Sequence, residues 1–241
     1  MSTSQIALLL PSYGRPLLCE KSILKAQVLA KYPDDLYIYV GLSEDDTTKC
    51  SYTTQLKNVY YSIYPEEWSV GKIWSDMARL SIDHGADFLL MHNDDLEMQT
   101  QNWDEMVICR YKKVFPDNLG VLTYNDGINT GKNWGAFPFV STKFVKELGY
   151  FTTDLYEFFY NDTHLLDIAK QINRHYHAAD VIGFHNHWTI SKTGQDETTK
   201  KHRSATGNQR HVRDTKTYRE SYLSRYQDAQ KLLGVIKRLK G

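Results

Sequence analysis

The sequence predicts an α/β fold: a mixed, mainly parallel sheet flanked by helices, with a C-terminal helical and loop extension. Three observations predict it. Short apolar runs at Ile6–Leu10, at Leu36–Gly41 and from Phe88 alternate with segments whose apolar residues recur every three or four positions. The runs close on Pro, Gly, Asn or Asp, which favour turns. The connections are short, and the β-α-β order implies parallel strands joined by right-handed crossovers.

The first strand, Ile6–Leu10, is closed by Pro11-Ser12-Tyr13-Gly14-Arg15-Pro16. Leu17, Leu18, Ile23, Leu24, Val28 and Leu29 then mark a helix, stopped at Tyr32-Pro33-Asp34-Asp35. A second strand over Leu36–Gly41 runs into Leu42-Ser43-Glu44-Asp45-Asp46, and a third lies near Val59–Ile63. Val70, Ile73, Trp74, Met77 and Leu80 share one helix face, and Gly85 is a natural stop for it. The Phe88 strand follows, then a helix over Trp103–Val114 and a strand over Leu119–Tyr124. A helix over Ser141–Leu148 has Ser141 or Thr142 as its cap, and another starts near Asn161-Asp162. Ala178–Phe184 reads as a strand carrying His185-Asn186-His187. Residues 189–216 are polar with little periodicity, and Tyr218–Leu239 is an amphipathic helix. The expected division is 1–190 for the main domain and 191–241 for a basic segment and terminal helix belonging to the same domain.

The bulk numbers narrow the function classes. With 29 basic and 29 acidic residues the net charge is zero, so the whole molecule gives no case for attraction to nucleic acid or membrane. Cys19, Cys50 and Cys109 lack metal or redox spacing and read as free thiols. No apolar run is long enough for a span, and the N-terminus lacks a basic leader, so a cytoplasmic protein is expected. Neither GxGxxG nor GxxxxGK[ST] occurs, which removes the usual glycine cradles for phosphate.

The chemistry gathers at one sheet edge: Tyr13 and Arg15, then Asp45 and Asp46, then Asp94 and Asp95. Asn93-Asp94-Asp95 is ordinary turn chemistry, but a paired acidic edge also suits a hard divalent cation that holds a diphosphate. His185 and His187 stand two apart on a strand and face one side. Imidazole mixed with carboxylate suits Mn²⁺, and His185 is nearer the strand end.

This order of motifs resembles the GT-A glycosyltransferases, especially the inverting family-2-like enzymes, over most of residues 5–190. Pro11–Pro16 looks like the loop that receives the nucleotide, and Asp45-Asp46 like the acidic turn that reads its base. Gly71-Lys72 and then Gly85–Asp95 resemble the run into the metal motif, with His92 where a strict DxD places its first acid. Trp134-Gly135-Ala136, Leu148-Gly149-Tyr150-Phe151 and Asn161-Asp162 resemble the acceptor-side block, with Asn161 in place of the usual glutamate. His185 or His187 looks like the late histidine of the metal shell, and the tail looks like that of some phage-encoded relatives.

The resemblance implies transfer of a sugar from a nucleotide-diphosphate donor, UDP in the common case, to an acceptor hydroxyl. Pro11, Tyr13, Arg15, Asp45, Asp46, Lys72 and Asp94 would face the donor. Asp95 with His185 or His187 would hold Mn²⁺ or Mg²⁺. Trp134, Gly135, Ala136 and Asn161 would face the acceptor. Asp162 would be the general base of an inverting displacement, or else the cap of its helix. Lys192, Lys200, Lys201, Arg203, Arg210, Arg213, Lys216 and Arg219 form a basic segment, read as a solvated loop closing over the donor. Its sharper reading is a patch for a DNA acceptor carrying a hydroxymethylated base. Two other functions fit the same acids: a nucleotidyltransferase, and a non-catalytic nucleotide-sugar or glycan binder.

Overall fold

A computed structural model describes residues 4–52, 55–129, 135–186, 200 and 204–240. Among them, the strands are β1 (Ile6–Ser12), β2 (Leu36–Ser43), β3 (Val59–Tyr64), β4 (Phe88–Met91), β5 (Leu96–Met98), β6 (Val121–Asn125), β7 (Phe139–Ser141) and β8 (His175–His185). The helices are α1 (Pro16–Val28), α2 (Val70–Asp83), α3 (Trp103–Val114), α4 (Thr142–Leu148), α5 (Asn161–Gln171), α6 (Ala205–Glu220) and α7 (Tyr222–Lys240). The strands form one sheet in the order β3-β2-β1-β4-β7-β6-β8-β5. Pairings β1/β2, β2/β3, β1/β4 and β6/β8 are parallel; β4/β7, β6/β7 and β5/β8 are antiparallel.

The apolar run of β1 is continuous because both sheet faces are covered. Ile6, Leu8 and Leu10 join one core cluster with residues of α1 and α3, while Ala7 and Leu9 join a second with residues of α2, α4, α5 and α7. The alternation follows from the two-residue period of a strand. The terminal helix α7 is part of that second core through Ala229, Leu232, Val235 and Ile236.

Helix starts follow local chemistry. Ser69 caps α2 by accepting from the Lys72 amide, and Ser141 caps α4 by accepting from the Phe144 amide. Gly85 ends the α2 region with φ +94°.

Four sequence expectations are corrected. The apolar spacing of α1 does not mark its buried face: Leu17 is 80% exposed, whereas Cys19, Ser22, Ile23 and Ala26 are buried. Small residues let the helix sit close to the sheet, and the Ser22 hydroxyl and the Ala26 carbonyl find partners there. The short strands β5 and β7 carry too few residues for a period to show. Residues 205–220 are helical rather than a loop; α6 lacks apolar periodicity because its contacts are polar. The terminal helical pattern is also broken at Ser221, between α6 and α7.

Helix α2 approaches the start of α5 through Gly71. A Cβ there would fall 2.6 Å from both the Thr153 carbonyl oxygen and Asn161 Oδ1. Gly71→Ala gains up to about 1 kcal/mol of helix propensity. Crowding against fixed backbone costs about 1–3 kcal/mol. The clash should win, lowering stability in urea denaturation; a more stable variant would contradict the close approach.

Candidate active site

Three strand ends converge. Ser12 closes β1, and its hydroxyl donates to Asp94 Oδ2 at 2.7 Å. Since that hydroxyl has one proton, Tyr52 donates to Ser12 across 2.9 Å. Arg15 Nη1 lies 3.2 Å from Asp94 Oδ1 and 3.6 Å from Asp95 Oδ2. The Tyr13 hydroxyl donates to Asp45 Oδ2 at 3.0 Å. Asp46, 1% exposed, accepts from the Gly14 amide at 2.8 Å and from the Thr48 amide and hydroxyl, each at 2.7 Å. Its carboxylate thus ties the β1 and β2 loops together, leaving Asp45 as the more accessible of the two acids.

Asp94 is buried too, and its acidity records that. Burial and the neighbouring Asp95 charge push its pKa up to about 6, against the pull of Arg15 and Ser12. Its oxygens are engaged by Ser12 and Arg15, so the geometry gives it the task of holding Arg15 beside Asp95.

His185 reaches Asp95 because of β5. In the antiparallel β5/β8 pair, Leu96 stands opposite His185, and the Asn186 amide donates to the Asp95 carbonyl at 2.8 Å. A register irregularity in β8, between the partners of Tyr124 and Asn125, precedes this pairing and re-aims the strand. His185 Nε2 ends 3.2 Å from Asp95 Oδ1, with the two side chains 12% and 14% exposed. Two ligands at about 2.1 Å from a metal and at right angles stand about 3 Å apart, so this pair fits adjacent positions on Mn²⁺ or Mg²⁺. Among the described residues no third His, Cys, Asp or Glu completes a metal cluster, and His187 lies outside them.

His92 is fully buried behind this pair. Its Nε2 is 2.9 Å from Ser22 Oγ, which itself donates to the Leu96 carbonyl at 2.5 Å. Ser22 must therefore accept from His92, fixing the proton on Nε2. Burial drives the His92 pKa down to about 3, so the ring is neutral at pH 7. The position thus carries a neutral imidazole and adds no negative charge beneath Asp95.

On the other flank, Asp162 is the second residue of α5 and half-buried. Tyr160, not Asn161 or Asp162, is the cap of this helix, at φ +69°. Burial raises the Asp162 pKa above its ordinary value, while the Thr163 amide and hydroxyl, its own amide and the nearby His185 act the other way. Asn161 is 2% exposed; its amide donates to the Phe158 carbonyl at 3.1 Å and its oxygen lies against Gly71. That side chain packs inward. Trp134 lies outside the described residues.

Gly135 and Ala136 are set by Asp126, a residue the sequence reading missed. The buried Asp126 accepts from the amides of Ile128, Asn129 and Ala136 and from the Asn129 side chain. Burial alone would raise its pKa, but those bonds lower it on balance. A Cβ on Gly135 would lie 2.2 Å from the Tyr124 carbonyl, so only glycine fits. The Asn125-Asp126-Gly127 turn was the available signal.

Of the remaining expected residues, Pro11 stands in β1 opposite Gly41, and Lys72 is exposed with Nζ 4.0 Å over the Trp68 ring. In the basic segment, Arg210 and Arg213 pair with Glu157, and Lys216 lies 3.8 Å from Glu220. Residues 191–199 and 201–203 lie outside the described residues. Among the described residues, no helix is long and apolar enough to cross a membrane.

No protein-family model and no curated protein sequence matches the chain. Solved structures do. A mannosyltransferase from Pyrobaculum calidifontis, in complex with GDP-Man and Mn²⁺, is 12% identical with a TM-score of 0.56, over 97% of this chain and 74% of that one. S. aureus TarS 1–349 in complex with UDP is 10% identical with a TM-score of 0.56, over 74% and 59%. Glucosyl-3-phosphoglycerate synthase from Mycobacterium tuberculosis, with phosphoglyceric acid, is 12% identical with a TM-score of 0.51, over 76% and 72%. The chain spans between 36% and 59% of the lengths of the TarS chains it matches. The fold is the GT-A fold.

Asp94 gives a pH test on protein stripped of divalent ions. Its native pKa is raised, so between about pH 4 and 6 the native state holds more protons than the unfolded one. Stability from this group is therefore present at low pH and lost as pH rises. Asp94→Asn, which cannot ionise, should gain on the parent protein across that window, read as a difference in Tm that widens and then levels. A constant difference would contradict a buried, ionising Asp94.

Proposed function

We propose that the chain is a metal-dependent glycosyltransferase that moves a sugar from a nucleotide-diphosphate donor, a UDP-sugar by preference, onto an acceptor hydroxyl with inversion. The observation that carries this is the Asp95–His185 pair, 3.2 Å apart at the end of β4, with Asp162 close enough for His185 to act on its acidity.

Charge is the first argument. Asp94 and Asp95 meet the Arg15 guanidinium, and Asp45 and Asp46 add two more carboxylates on the neighbouring loop, where they accept from Tyr13 and from the Gly14 amide. Such a basin repels a diphosphate unless a cation lies between them. Asp95 and His185 would hold Mn²⁺ or Mg²⁺, which neutralises the diphosphate leaving group as the glycosidic bond breaks. A solved structure of the same fold carries Mn²⁺ and GDP-Man, and another carries UDP, which supports this reading.

The chain's own residues do the rest. Asp45, oriented by Tyr13, accepts from the base or ribose, and Tyr13 offers a ring for stacking. Arg15 faces the phosphates. Asp162 takes the proton of the acceptor hydroxyl as that oxygen attacks the anomeric carbon. A carboxylate of raised pKa is a stronger base than an ordinary one. Gly135 and Ala136 shape the acceptor side.

For the acceptor, a hydroxymethylated base in DNA remains the sharper proposal. Its support is the basic segment Lys192–Arg219, although Glu157 neutralises much of the charge of Arg210 and Arg213. Binding to DNA that weakens steeply with salt would support it, and salt-independent or absent binding would remove it.

Release of nucleoside diphosphate from the donor should require Mn²⁺ or Mg²⁺. Asp95→Asn should abolish it by weakening metal and donor binding. Asp162→Asn should cut turnover by about 10²–10⁴-fold while donor binding persists. Turnover should rise with pH through the Asp162 pKa, above the ordinary carboxylate range, because only the ionised form accepts a proton. Undiminished turnover in both variants would remove the mechanism.

A further inference from the structure

The extension that follows the sheet domain makes an unexpected contact. Asp214, on α6, is a carboxylate only 2% exposed. Its Oδ1 accepts from the Glu157 amide at 3.0 Å, and its Oδ2 from the amides of Phe158 and Phe159 at 3.0 and 2.8 Å. Three successive backbone N–H groups thus point at one carboxylate, and their dipoles meet a charge that water does not reach.

The gripped turn leads straight into α5. Its next residue, Tyr160, adopts φ +69°, a conformation that a bulky residue keeps only when its surroundings enforce it. The surroundings are again α6: the Tyr160 hydroxyl is 2.9 Å from Thr215 Oγ1, and its ring stacks on Tyr218 with centroids 4.8 Å apart. From the other side, the Val70 amide at the start of α2 donates to the Glu157 carbonyl at 3.2 Å. Two residues after Tyr160 comes Asp162. The strained residue is held on one flank by a helix that contributes no strand to the sheet.

We propose that Asp214 is a positioning residue for the carboxylate of Asp162: by clamping the amides of residues 157–159 it enforces the left-handed Tyr160 and so sets the aim of the first turn of α5. This rests on the reading of Asp162 as the base. An anion anchored only to hold α6 in place would require no strained residue between its grip and the site. Releasing the clamp lets Tyr160 relax toward negative φ, which rotates the first turn and swings Asp162 off the acceptor hydroxyl.

Asp214→Asn is the direct test. Asparagine cannot accept from all three amides, because its NH₂ group must face at least one N–H donor. With UDP-GlcNAc and GDP-mannose as donor probes and Mn²⁺ present, kcat for release of nucleoside diphosphate should fall by about 10²-fold while KM for the donor is unchanged. The acidic limb of the pH profile should move to lower pH as Asp162 gains solvent. Amide hydrogen exchange over residues 157–163 should rise, with β1 and β2 unaffected. Should Asp214→Asn fail to fold, Thr215→Val removes the Tyr160 hydroxyl's partner and should move the limb in the same direction by less. Wild-type kcat and limb in these variants, with Asp162→Asn inactive, overturn the positioning role alone. A fully active Asp162→Asn, or no turnover of either donor by the parent chain, overturns the base reading and this inference with it.

Discussion

The site depends on one pairing of backbone, the short antiparallel ribbon in which Leu96 lies opposite His185. Strand β4 can deliver carboxylates to the sheet edge unaided, since a buried apolar run must end before charge begins. The imidazole that follows it directly, His92, is buried and bonded to Ser22 rather than set beside Asp95. The β5/β8 ribbon brings one there by carrying residue 185 across to residue 95, and the Asn186-to-Asp95 backbone bond locks the crossing. The irregularity in β8 precedes that crossing, shifting the strand from Ala178 opposite Tyr124 to Ile182 opposite Asn125.

Around that crossing the protein manages unfavourable charge. Asp94 and Asp95 are adjacent and largely buried, a combination that raises the pKa of one of them unless a cation intervenes. Arg15 supplies part of the compensation, and neutral His92 avoids adding a third carboxylate from the same strand end. The remaining imbalance is what the proposed divalent ion would offset. The same logic explains why Asp46 and Asp126 are not further ligands: each is surrounded by amide or hydroxyl donors and serves to shape a loop.

Much of the sheet and its acidic edge was legible in the sequence because burial on both faces writes an uninterrupted apolar run, and α2 and α3 show clear starts and stops. The convergence of Tyr13, Arg15, Asp45, Asp94 and Asp95 followed from parallel topology alone. Which acid does what was not legible. Asp45 and Asp46, or Asp94 and Asp95, are indistinguishable as letters, and only the structure separates them by the partners each engages. The face of α1 was misread because Ser22 and Cys19 are buried for fit and hydrogen bonding, whereas Leu17 is left in water. Helix α6 left no trace, since a helix held by Asp214 and Thr215 has no apolar stripe to read.

That last case bears on how such a fold acquires an acceptor side. The edge proposed for the donor is built from strand ends whose geometry the sheet itself dictates. The side proposed for the acceptor hangs on a turn, residues 157–160, that lies outside the strands. A turn of that kind needs a partner with convergent acceptors, and the chain takes it from a polar helix outside the sheet. Helix α7 anchors that helix by burying Ala229, Leu232, Val235 and Ile236 in the core shared with α4, α5 and the sheet, so on the proposed positioning role the terminal helix would support the carboxylate at 162 through α6. The extension would then be part of the site's support, not an appendage to it.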